Sequence, residues 1–211
     1  PAQMAWIYRV KQMAEELLVA DYSESNARLA LKKLEVLMNS PEHLRRVPRI
    51  LAESGIRYVI VESIGNAKID GVTFWLDEGA PVIGMTLRYD RIDNFWFVLR
   101  HEIEHVLREH GRGTNSAVLD AELEGERAGT VNVSEEERQA NEAAADFGVS
   151  RTTLQKFINR KSPYFKERDL IGFANTLNIH PGIVAGRLQY ATGRYDLFRN
   201  HLVKIRSKIV Q

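Results

Sequence analysis

The sequence predicts an α+β fold, a minor sheet with helices before and after it, and three observations carry that prediction. Apolar side chains recur at helical spacing through residues 2–54. Short β-branched runs punctuated by Gly, Asp and Pro occupy residues 58–87, and helical spacing then returns from residue 90 onward.

Trp6, Val10, Met13, Leu17 and Leu18 define a first helical stripe, and Leu29, Leu31, Leu34 and Leu37 a second. Asn39, Ser40 and Pro41 break them. A third run, 44–51, is interrupted at Pro48 and ends near Gly55. Tyr58, Val59, Ile60 and Val61 then read as a strand, as do residues 72–76 and 82–87. The clearest helix is 90–110, free of Pro and Gly, with Asp90, Asp93 and Asn94 as candidate caps and Gly111 and Gly113 beyond its end. Residues 116–133 are polar and acidic without periodicity, which predicts a long surface loop. Ser134 opens a helix through Asp146, with Glu137 at the spacing of a capping box. Leu154, Phe157 and Ile158 mark a shorter helix, and 170–177 and 182–190 two more, the last with Pro181 where a helix can begin.

A chain of 211 residues can bury one sizeable core, or one main domain with a small appendage. Its 44% hydrophobic and 27% charged residues argue for a folded globular chain. A net charge of +1 gives no global electrostatic reason to bind nucleic acid or a membrane surface. Cysteine is absent, so disulfides and thiolate metal sites are excluded and a reducing cytoplasm is the expected setting. No apolar run reaches the length of a membrane span. The chain opens at Pro1, as initiator removal or a cut from a longer protein would leave it.

Residues 101–105 read His-Glu-Ile-Glu-His, and the i, i+4 spacing puts both imidazoles on one helical face about a turn apart. Zinc accepts neutral imidazole nitrogen, and a catalytic site needs a third protein ligand plus a position for water. Glu102, adjacent to His101, suits a general base that does not itself ligate. The apolar run from Phe95 to Leu99 would bury this helix, which sets the motif apart from two solvated histidines. Glu104 is expected on a solvated face. The third ligand must come from downstream acids, and Glu135, Glu136, Glu137, Glu142 and Asp146 all qualify by spacing. Glu137 with Asn141, and Glu142 with Asp146, are pairs in which an i+4 group could support a ligating carboxylate.

Two segments carry a family resemblance. Residues 91–107, RIDNFWFVLRHEIEHVL, resemble the active-site helix of the ImmA/IrrE zinc metallopeptidases, and 137–147, ERQANEAAADF, resemble that family's second motif, E-x-x-A-[ND]-x-F-A-A. The resemblance implies a zincin-like, gluzincin-type domain in which Zn2+ is held by His101, His105 and Glu137, with Glu102 catalytic and Asn141 in a supporting position behind Glu137. Two departures stand out: Ala143 replaces the motif's phenylalanine, and Gly148-Val149-Ser150 replaces an apolar stretch ending in proline. Residues 179–189, IHPGIVAGRLQ, resemble the tail of members fused to a helix-turn-helix that act as HigA-like antitoxins or transcriptional regulators. The resemblance covers about residues 58–189, and 1–55 look less specifically like the connector of such fusions. The expected organisation is therefore a helical connector (1–55), a metallopeptidase domain (56–160) and a helical region packed on it (161–211).

The expected activity is zinc-dependent hydrolysis of a regulatory protein, a repressor or antitoxin, in transcription regulation or a toxin-antitoxin setting. The alternative is a regulatory or sensor domain that keeps the fold and binds a ligand, a toxin or a second copy as a homodimer. DNA contact would come only through a domain absent from this chain. Among the remaining candidates, His180, at a turn before Pro181, either lines the cleft or packs the loop, and Tyr89 and Arg91, just before the active-site helix, are candidate transition-state stabilisers by proximity alone. His110 is expected to face away from the histidine pair.

Overall fold

The computed structural model describes residues 2–65, 67–113, 117–121 and 134–209. Its architecture is α+β. The chain runs α1 (Ala2–Glu15), α2 (Glu24–Glu35), α3 (Val47–Glu53), β1 (Arg57–Ile60), β2 (Ile69–Trp75), β3 (Pro81–Met85), α4 (Ile92–Leu107), β4 (Val118–Ala121), α5 (Glu135–Asp146), α6 (Arg151–Lys161), α7 (Glu167–Leu177), α8 (Pro181–Thr192) and α9 (Arg206–Ile209). The sheet order is β1-β3-β2-β4, with β1 parallel to β3 and the other pairs antiparallel. β4 lies inside the stretch expected to be loop, where Val118 pairs with Thr73; residues 116 and 122–133 of that expected loop lie outside the described residues.

Every residue of β2 and β3 is buried, because helices cover both faces of the sheet. On one face Trp6, Val10 and Ala14 of α1 pack on Val59, Val72, Phe74 and Val82. Gly84 permits this approach, since a Cβ there would press on the Val10 methyls. The indole of Trp6 donates to the Val61 carbonyl at 3.1 Å, so its polar edge is satisfied in the core. On the opposite face lies α4, buried along nearly its whole length.

Several local expectations shift. In the second helix the buried stripe is Ala27, Ala30 and Leu34, and Leu29 is exposed. Small residues there let α2 sit close to the body of the fold. Pro48 starts α3 instead of interrupting it, as its missing N–H allows. Asp90 does not cap α4; its carboxylate accepts from the backbone N–H groups of Ile205 and Arg206, tying the C-terminal segment to the start of the central helix. Among the described residues no helix is long and apolar enough to cross a membrane.

Trp6 is fully buried and joins α1 to the sheet. Trp6→Ala should therefore cost about 3–5 kcal/mol in urea unfolding.

Candidate metal centre

α4 and α5 build the centre between them. The helical repeat brings His101 and His105 to one face of α4, both fully buried, with their Nε2 atoms 3.0 Å apart. α5 is rich in alanine on its inner face, with Ala140, Ala144 and Ala145 buried, so it packs closely on α4 and brings its first turn to the histidines. There Glu137 Oε2 lies 3.4 Å from His101 Nε2, and Glu137 Oε1 3.4 Å from His105 Nε2.

This is the one group of three residues with metal-binding side chains that converges among the described residues, with one donor atom of each lying within 4.8 Å of the others. Two ligands of a tetrahedral zinc ion with bonds near 2.0–2.2 Å stand about 3.4 Å apart, so the spacing fits such an ion. Ser134 also settles the competing role of Glu137. The serine hydroxyl accepts from the Glu137 backbone N–H at 3.2 Å and caps the helix, while the Glu137 carboxylate reaches the histidines.

Glu102 lies on the side of α4 that meets β2. Its Oε2 accepts from the Thr73 hydroxyl at 2.7 Å, and the same hydroxyl lies 3.2 Å from the Glu102 carbonyl. Gly71 provides the room, because a Cβ at that position would overlap Oε1. Two residues further along the same strand face, Trp75 donates its indole N–H to the His110 carbonyl at 3.1 Å. Gly71, Thr73 and Trp75 thus use the two-residue period of β2 to support the motif from beneath.

His110 is a correction to the sequence reading. The chain turns back after α4 through positive φ at Glu109 and Gly111, and His110 comes to lie with its Nδ1 2.7 Å from His105 Nδ1. When His105 presents its Nε2 lone pair to a metal, its Nδ1 carries the proton and donates to His110, which fixes tautomer and ring orientation. The helical angle at position 110 does not apply because the helix has already ended. Gly111 was the available signal. Glu104 is likewise buried, not solvated, and hydrogen-bonds with Arg100 at 2.7 Å and Arg108 at 2.6 Å. Burial opposes its ionisation, but the two guanidiniums hold its carboxyl below the usual range.

Asn141, one turn beyond Glu137, lines a cavity beside the centre. The departures of the second motif are absorbed locally. Phe147, four residues past Ala143, stands 6.2 Å from Trp96, and Ser150 caps α6. Arg91 precedes α4, about 15 Å along the axis from His101, and pairs with Asp93. Tyr89 lies under the Arg88 guanidinium at 4.8 Å. His180 caps α8, its Nδ1 accepting from the Gly182 N–H at 3.0 Å.

Replacing His110 with Ala should weaken zinc binding about 10–100-fold in chelator competition while leaving the ligand set intact. His180 supplies a pH test. Burial first, and His201 second, hold its pKa below the ordinary 6.5, so the unfolded chain takes up this proton before the folded one. The stability from this group is therefore present above about pH 6.5 and is lost as pH falls below it, when protonation also removes the acceptor of the cap. His180→Asn, which keeps a capping side chain, should lose less stability than the parent between about pH 7 and pH 5 in urea unfolding.

No protein-family model and no curated protein matches this chain, so the reading of the centre rests on its own residues and their geometry.

Proposed function

We propose that the protein is a zinc-dependent endopeptidase of the ImmA/IrrE type, with a zincin-like catalytic domain. The observation that carries this is the convergence of buried His101 and His105 with half-buried Glu137, with the neighbouring Glu102 held by Thr73. His101 Nε2, His105 Nε2 and a Glu137 oxygen would hold the ion. A zinc ion bound there supplies Lewis acidity, polarising a scissile carbonyl and lowering the pKa of water towards about 7.

The chain's own groups do the rest. The Thr73 hydroxyl fixes the Glu102 carboxylate through Oε2, and Oε1, the oxygen against Gly71, is assigned to take the proton from the attacking water. Glu102 then returns that proton to the leaving amine. His110 keeps His105 in the tautomer that offers Nε2, and the burial of both imidazoles strengthens every charge interaction around them. Glu137 keeps 25% of its side chain exposed, which makes its side of the centre the direction of substrate entry. The resemblance of the motifs at 91–107 and 137–147 suggests a repressor or antitoxin of the helix-turn-helix class as the substrate.

A second reading is a regulatory domain that retains the metal without turnover. The complete burial of Glu102 and both histidines favours it. Glu102→Gln separates the two.

Purified protein should contain about one zinc per chain, and His101→Ala should lose it. Glu102→Gln should keep the zinc and reduce peptide hydrolysis by about 10²–10⁴-fold. Unchanged regulation in cells carrying Glu102→Gln would refute the catalytic account.

A further inference from the structure

A cavity of about 370 Å³ lies between α4, α5, α6 and α8, next to the metal centre and distinct from it. Phe97, one turn before His101 and with its ring 6.3 Å from that imidazole, forms part of the wall on one side, and Asn141, one turn after Glu137, part of the other. Its volume is in the range of small-molecule pockets. Leu154 and Ile158 extend the apolar wall begun by Phe97. Arg151 and Gln155, on the same face of α6 as Leu154 and Ile158, and Arg187, on α8, supply its polar lining.

Arg187 is the unusual member. Its Nε is shut off from solvent and has no hydrogen-bond partner among the described residues. A buried N–H donor without an acceptor costs roughly 1–3 kcal/mol, more on a charged group. Loss of solvation, with Arg151 adding to it, pulls the Arg187 pKa below its ordinary value, and Asp146 opposes this. The acids nearby already have work. Asp93, on the cavity wall, is held by Arg91 through both carboxylate oxygens, and Asp146 accepts from the Arg151 backbone N–H at 2.8 Å. α8 approaches α4 closely enough for Arg187 to enter this space because residue 186 is glycine, where a Cβ would overlap Asp93 Oδ2.

We infer that this cavity is a binding site for a carboxylate attached to a small apolar body, with Arg187 and Arg151 receiving the carboxylate and Phe97, Leu154 and Ile158 the hydrocarbon. A planar carboxylate matches the guanidinium fork. The apolar wall selects against a bare inorganic anion. Two sources have this chemistry: a free carboxylic acid, or an acidic side chain of a peptide lying in the neighbouring cleft. The site itself does not depend on hydrolysis at the metal centre.

The test is calorimetric titration of the full chain, loaded with zinc, with phenylacetate, 4-methylpentanoate, phenylacetamide, inorganic phosphate, and a capped peptide carrying one glutamate or, as control, one glutamine. Binding of a free acid about tenfold or more tighter than phenylacetamide, weakened about tenfold or more in Arg187→Met and less in Arg187→Lys, supports the site and assigns a free ligand. Binding of the glutamate peptide alone, with the same response to the variants, supports the site and assigns a peptide side chain. Equal binding of acid and amide, or phosphate binding as tightly as the acids, overturns the ligand class. No binding by any carboxylate, or binding unchanged in folded Arg187→Met and Arg151→Met, overturns the site. Circular dichroism verifies folding, and if Arg187→Met does not fold, Arg187→Lys and Arg151→Met decide. Hydrolysis is scored separately with Glu102→Gln, so failure here and failure of the peptidase reading give different results.

Discussion

Two imidazole nitrogens and a carboxylate that face one another at 3.0–3.4 Å, with the imidazoles fully buried, are stable only when a proton or a cation lies among them. The surrounding structure is arranged to hold that convergence. α4 must be central, so it is wrapped by the sheet, by α5 and by α8, and its length carries both the metal-facing pair and the carboxylate that faces the strands. α5 must come close, so its inner face is alanine.

The support beneath the motif comes from one strand. Gly71, Thr73 and Trp75 alternate along β2 on the face towards α4, and each meets a different need: space for Glu102, a donor for its carboxylate, and a donor for the backbone of His110. The intervening Val72 and Phe74 face α1 and its own apolar cluster. A strand buried on both faces is thus divided by its period into a purely structural side and a side that serves the centre. This arrangement also explains why α1, remote in sequence, bears on the site. It backs the strand from which Glu102 is positioned.

The cavity lined by Arg187 borders the centre, since Phe97 and Asn141 lie one turn from His101 on α4 and Glu137 on α5. A ligand there would press on the same two helices whose spacing sets the distance from Glu137 to the histidines. Gly186 and Gly71 play matching parts, each letting a carboxylate of α4 sit against a neighbouring backbone, Asp93 against α8 and Glu102 against β2.

Helices α1 to α8, the first three strands and the histidine pair are legible in the sequence, because helical and strand periods and an i, i+4 spacing are local properties of the chain. Periodicity left the third ligand open among five acids, and the resemblance at 137–147 selected Glu137, the residue that α5 brings to the histidines. Long-range contacts set the rest. β4 has no signal of its own and exists through pairing with β2. Helical angle and charge misplace His110 and Glu104, since a left-handed turn and two arginines, features outside any periodic pattern, set where they lie. Thr73, Gly71 and Trp75 became supports of the centre only when a strand some thirty residues earlier in the chain was laid against α4, a long-range contact that no local pattern encodes.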